Sequence, residues 1–115
     1  MRLGSWAEDL ACRHLIDRGL ILITRNYRCR HGEIDLVMRD TETIAFIEVR
    51  LRSRTDFGSG ADSVDARKQA RLISSAEHYL QRHANIVAKC RFDVVSITRR
   101  DNAHRLEWIR NAFTA

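Results

Sequence analysis

The chain reads as a single α/β domain spanning residues 1–115, with helices on a small mixed sheet in the order α-β-β-β-α-β-β. Three observations predict it. Two stretches, one near the start and one in the middle, carry apolar residues at helical spacing. Between and after them lie short β-branched or alternating runs bounded by polar turns. No linker, repeat or low-complexity stretch divides the chain, and 115 residues suffice to bury one core.

The first helix is expected over residues 4–18. Leu3, Trp6, Leu10 and Ile16 recur at roughly helical spacing, as do Ala7, Ala11 and Leu15, and Gly19 is a stop signal. Glu8 falls on this apolar seam or its margin. It is either an acid favoured by the helix dipole or one aimed into a site.

Residues 20–27 contain Ile21-Leu22-Ile23, a buried-strand signal. The segment from Arg25 to His31 is dense in positive charge, with Tyr27 among arginines. That pattern suits either a solvated strand edge or contact with a nucleic-acid backbone. Gly32 turns the chain. Residues 33–38 alternate, which places Glu33, Asp35 and Val37 on one face and Ile34, Leu36 and Met38 on the other. Residues 40–43 read as a hairpin turn and residues 43–52 as the return strand.

The hairpin register follows from a two-residue loop at Thr41-Glu42. Asp40 then faces Thr43, Asp35 faces Glu48, and Glu33 faces Arg50. Directly opposed residues bring their Cβ atoms to about 4.5–5.5 Å. Two carboxylates so placed repel unless a cation lies between them. Glu48 also ends an otherwise apolar run, where an unpaired charge is costly.

Residues 53–61 read as a loop, and Asp62 or Ser63 as the cap of a helix running to about residue 83. Its apolar set is Val64, Ala70, Ile73, Ala76, Tyr79 and Leu80. Arg67, Lys68 and Arg71 near its start point either at a site or at water. Residues 91–98 and 105–110 are the last strands, joined by a polar turn, and Asp93 is read as structural.

The net charge of +5 favours a polyanionic partner. Only Lys68 and Lys89 of the 20 cationic residues are lysines. Arginine suits bidentate phosphate contacts, although a genome rich in Arg codons explains the bias as well. Cys12, Cys29 and Cys90 have no zinc-ligand spacing, and the five histidines pair with no nucleophile at a recognisable spacing. Unpaired thiols, no apolar membrane span and no signal segment lead us to expect a cytoplasmic protein.

Glu8, Asp35 and Glu48 are thus acids offered by a helix and two strands. Carboxylates suit Mg²⁺ or Mn²⁺. A metal so held lowers the pKa of an attacking water and neutralises charge growing on a phosphodiester. Asp35 followed by Glu48-Val49-Arg50 resembles the PD-(D/E)XK nuclease motif. The fuller pattern comprises Ala7-Glu8 with Ala11, Arg25-Asn26-Tyr27-Arg28, Gly32-Glu33-Ile34-Asp35-Leu36, Phe46-Ile47-Glu48-Val49-Arg50, Phe57-Gly58, Lys68 and Arg91-Phe92-Asp93-Val94-Val95. It resembles the YraN-type family, small bacterial proteins of uncharacterised function, similar in fold to archaeal Holliday-junction resolvases.

The resemblance implies a restriction-endonuclease-like three-layer core and a metal site at Glu8, Asp35 and Glu48. It also implies a Lys at position 50, where this chain has Arg50. Arginine does not give up its proton, so Arg50 can stabilise charge but not act as a base. Lys68 can supply an ammonium from the neighbouring helix. The expected catalytic set is Glu8, Asp35, Glu48, Arg50 and Lys68. The expected nucleic-acid contacts are Arg25, Tyr27, Arg28, Arg30, Arg52, Arg54, Lys68 and Arg71.

The expected function is a Mg²⁺- or Mn²⁺-dependent endonuclease acting on DNA, including branched or flapped forms, with a homodimer suggested by analogy. The alternatives are a nucleic-acid-binding module that has lost cleavage through Arg50, and a structural or partner-binding protein.

Overall fold

Helix α1 (Ser5–Asp17) leads into strands β1 (Ile21–Cys29), β2 (Gly32–Asp40) and β3 (Thr43–Arg52). Helix α2 (Ala66–Arg82) then precedes β4 (Lys89–Arg100) and β5 (Ala103–Phe113). This computed structural model describes residues 5–52, 64–83 and 89–115. The expected loop at 53–61, with Arg54 and Phe57-Gly58, and the candidate caps Asp62 and Ser63 lie outside the described residues.

The strands form one sheet in the order β1-β2-β3-β4-β5. The β3–β4 pair is parallel and the other three pairs are antiparallel. A parallel pair needs a crossover, and α2 supplies it. Ala7, Ala11 and Leu15 of α1 pack with Leu36, Met38, Ala45, Ile47, Val95 and Ile97. Leu72, Ala76 and Tyr79 of α2 pack with Val37, Ile44, Phe46, Phe92 and Val94. Alternate residues of β3 and β4 therefore serve opposite helices, giving the expected three layers of helix, sheet and helix. No helix among the described residues is long and apolar enough to cross a membrane.

The local signals act as expected in most elements. In α1 the buried stripe is Ala7, Glu8, Ala11, Cys12 and Leu15, whereas Trp6 and Ile16 are exposed. In α2 it is Leu72, Ser75, Ala76 and Tyr79; of the expected set Ala76 and Tyr79 are buried, Ile73 and Leu80 are partly buried against the same core, and Ala70 is exposed. The helix is capped by Asp65, whose carboxylate accepts from the Lys68 backbone N–H. Val64 therefore precedes the helix and is buried beneath it. Asp65 wins because it stands three residues before the N–H it satisfies.

The hairpin register is the predicted one over its described length, from Asp40↔Thr43 to Leu36↔Ile47. Thr41 takes φ +54, an unusual conformation for a β-branched residue, and its hydroxyl donates to the Asp40 carbonyl at 2.7 Å.

The expected alternation of β2 is corrected at Asp35. Leu36 and Met38 pack with α1, but Ile34 joins Val37 on the α2 side. The pleat therefore shifts between Ile34 and Leu36. Register pairs Arg25↔Leu36 and Tyr27↔Ile34 flank Asn26, whose φ is +54. A left-handed step in the neighbouring strand, opposite Asp35, re-aims the residues on either side of it.

Candidate functional site

The β2–β3 ladder ends where the acids begin. One step beyond Leu36↔Ile47 the backbone N–H of Val49 donates to Asp35 Oδ2 at 2.8 Å. A side chain has taken the place of a ladder carbonyl, and a cleft of about 310 Å³ opens at this end of the sheet. Its polar lining is Glu8 from α1, Asp35 from β2, Glu48 and Arg50 from β3, and Lys68 from α2.

Glu8 is 4% exposed, and Glu48 is 7% exposed. Neither could be buried this far without compensation. Glu8 Oε1 lies 3.7 Å from Arg25 Nη2, and Arg25 is held in turn by Asp9 at 2.6 Å. Glu48 Oε2 lies 3.2 Å from Lys68 Nζ. Glu48 and Lys68 meet because Glu48 alternates with Ile47, which faces α1, and so faces α2.

Asp35 is pushed up to about 8, first by burial, then by the charge of Glu48 and a hydrogen bond to it, with Glu33 adding repulsion. The Val49 N–H opposes this but does not win. Without a cation, the neighbouring Asp35 and Glu48 carboxyls therefore favour keeping a proton between them well above the usual carboxylate range.

Glu33, expected on the Asp35 face of β2, joins the acids of the site. Its register partner is Arg28 on β1, and its carboxylate lies 3.7 Å from the Arg28 guanidinium. The described β2–β3 ladder stops before it reaches Glu33 and Arg50. One carboxylate oxygen each from Glu8, Glu33 and Asp35 lie within 4.8 Å of one another. The sequence signal for Glu33 is the pair of acids at i and i+2 in Gly32-Glu33-Ile34-Asp35, which alternation puts on one face.

This set fits a hard divalent cation. Oxygen ligands crowd one point, and the repulsion from Glu48 and Glu33 that adds to burial in raising Asp35 is what a bound Mg²⁺ or Mn²⁺ would relieve. Glu8, Glu33 and Asp35 are near enough to share such an ion, with Glu48 hydrogen-bonded to Asp35 beside them.

The expected nucleic-acid contacts separate into groups. Arg25 is committed to Asp9 and Glu8. Tyr27 is half-buried, its hydroxyl 2.7 Å from His78 Nδ1 and its ring edge-on to Tyr79. Arg28, Arg30 and Arg71 are exposed together around the β1–β2 turn. Arg50 and Arg52 are half-buried, and the Nε of each is buried with no hydrogen-bond partner among the described residues. Arg50 forms no ion pair with any described residue.

Asp93 is structural. It is 1% exposed and takes the Arg91 Nε–H at 3.0 Å, the Trp108 indole N–H at 3.1 Å and the Asn111 backbone N–H at 2.9 Å.

A model of the uncharacterised protein family UPF0102 matches residues 7–97. A UPF0102 protein of Methylobacillus flagellatus is 54% identical over 114 residues, covering 99% of this chain and 98% of that protein. One of Nitrosococcus oceani is also 54% identical, over 96% of this chain and 90% of that protein. One of Nitrosomonas europaea is 51% identical, over 96% and 92%.

Proposed function

The chain belongs to the uncharacterised protein family UPF0102, and from that footing we propose that it is a Mg²⁺- or Mn²⁺-dependent endonuclease acting on DNA. One observation carries the reading. Acids from α1, β2 and β3 and an ammonium from α2 converge in a single cleft at the open end of a hairpin. A merely solvated set of acids has no reason to be buried, coupled and crowned by two cations.

Glu8, Glu33 and Asp35 would hold the metal, with Glu48 beside them and hydrogen-bonded to Asp35. Bound there, the ion supplies an activated water and neutralises charge on the phosphodiester. The protein's own groups do the rest. Arg25 holds Glu8 in place from outside the cleft. The Val49 N–H fixes the orientation of Asp35. Lys68 orients Glu48 and presents N–H donors to a non-bridging phosphate oxygen. Arg50 adds a permanent positive charge that stabilises the pentacoordinate phosphate without exchanging a proton. Lys68 thus supplies the ammonium that the motif usually carries at position 50.

The test is incubation of the purified protein with branched, flapped and linear DNAs and Mn²⁺. Wild type should cut, and Asp35→Ala and Glu48→Ala should not. Cleavage that survives both substitutions would sink the proposal.

Arg50 favours one second reading, a module that binds DNA and has lost cleavage. It predicts salt-sensitive binding without turnover and no gain of affinity on adding metal. Likeness to the Holliday-junction resolvases makes four-way junctions and a homodimer the first cases to try.

A further inference from the structure

The carboxylate cleft has a neighbour. A second concavity of about 460 Å³ lies at the β1–β2 turn, lined by Arg28, Arg30, His31, Gly32 and Glu33 and by Arg71 from α2. The two meet at Glu33, which lines the second cleft while its carboxylate joins Glu8 and Asp35.

Among the described residues, positive charge in the second cleft outnumbers negative. Three guanidiniums line it against one carboxylate. Arg28 reaches Glu33 only at 3.7 Å. Arg30 and Arg71 are exposed and form no ion pair with any described residue. Its field extends to His78, whose pKa is lowered by burial and then by the charges of Arg82, His31 and Arg30. The His31 ring lies 6.0 Å from that of His78.

The backbone builds this arrangement. Gly32 has φ +144, and a Cβ there would meet Ser75 Oγ at 3.3 Å and Arg71 Cβ at 3.7 Å. The missing side chain lets α2 press against the turn and brings Arg71 beside the two arginines of β1 and its turn. The lining offers cationic N–H donors from Arg28, Arg30 and Arg71, with Cys29 and the His31 ring beside them. Three guanidiniums in one concavity suit it to anionic oxygens.

We propose that this second cleft is a phosphate subsite, which seats a backbone phosphate of the same nucleic-acid strand whose neighbouring phosphodiester lies over Glu8, Asp35 and Glu48. The assignment rests on the nuclease reading for the nature of the ligand. Arg30 and Arg71 take the phosphate oxygens and Arg28 supports them from beside Glu33. Glu33 stands on the partition between the two clefts.

The experiment compares wild type, the double variant Arg30→Gln/Arg71→Gln and a control, Arg99→Gln/Arg105→Gln, on the exposed β4–β5 hairpin at the far edge of the sheet. Binding of a labelled flapped DNA is measured against salt in metal-free buffer. The subsite predicts that the slope of log K against log salt becomes shallower by about 1 in the double variant. The control should keep the wild-type slope. Titration of wild type with inorganic phosphate should shift the backbone amides of His31 and Gly32, whether or not the variants fold.

An unchanged slope, an equal change in the control, or phosphate shifts elsewhere overturns the subsite while leaving the carboxylate site standing. Absence of DNA binding by wild type overturns both. The predicted slope change in a protein that never cuts with Mn²⁺ supports the phosphate seat and removes the nuclease reading.

Discussion

Val49 donates its backbone N–H to the Asp35 carboxylate at 2.8 Å, just beyond the last described pair of the β2–β3 ladder. The end of the hairpin that opens into the carboxylate cleft is therefore held by a side chain. Its strength depends on what that carboxyl group carries.

Asp35 is raised from 3.8 to about 8. A raised acid binds its proton more tightly folded than unfolded, so its contribution to stability is lost as pH climbs from about 4 to about 8. The slope from this one group is bounded by about 1.4 kcal/mol per pH unit. Urea titrations at pH 6 and pH 8 should show the metal-free protein weaker at pH 8. Mn²⁺ must displace the proton, so its stabilising effect should be larger at pH 8 than at pH 6. Asp35→Asn should remove both dependences. A Mn²⁺ effect independent of pH would contradict this account.

Lys68→Met should lower the rate of Mn²⁺-dependent cleavage by about 100-fold or more, as expected when a donor to a developing charge is removed. Its effect on folding should stay below about 1 kcal/mol, because the Lys68 side chain is 42% exposed and solvent screens its pair with Glu48. Initial rates on one DNA, set beside urea midpoints, separate the two effects. A variant with wild-type rate would mean that Arg50 alone supplies the needed charge.

Asp93→Ala should cost about 3 kcal/mol of stability, since it strands buried donors from Arg91, Trp108 and Asn111. Arg91 keeps a partner in Asp40 at 2.9 Å, which limits the loss. Chemical denaturation followed by tryptophan fluorescence reads both the stability and the Trp108 environment. A loss under about 0.5 kcal/mol, the range of an ordinary surface change, would refute the structural role.

Gly32→Ala should destabilise by at least about 1 kcal/mol, because φ +144 disfavours any L side chain and the new methyl would crowd Ser75. It should also weaken DNA binding through displacement of Arg71. Thermal melts and the salt titration described above check both effects.

The parts of this fold that follow local rules were legible. Thr41-Glu42 set the hairpin count, and an alternation of period two carried that count from Asp40↔Thr43 to the threshold of Asp35 and Glu48. The layer order followed from where the two helices fall among the strands. The pleat shift at Asp35 was not legible. It depends on Asn26, a left-handed residue in the adjacent strand, and nothing in the spacing of β2 announces it. Alternation put Glu33 and Asp35 on one face, but their meeting with Glu8 depends on how α1 packs on the sheet, which spacing does not show. Arg25 looked like a surface cation from its neighbours in sequence. Only the packing of α1 on the sheet shows that it is committed to Asp9 and Glu8.

Lys68 and Arg71 sit three residues apart on α2, one beside Glu48 and the other beside the β1–β2 turn. Three residues of α-helix advance about 4.5 Å along the axis. The two cations are thus graduations on one ruler, kept apart by backbone hydrogen bonds rather than by a loop. Any sliding of α2 across the sheet would carry both together. If the two clefts seat neighbouring phosphates as proposed, the step between them is written into a helix pitch, which no single side-chain substitution can stretch.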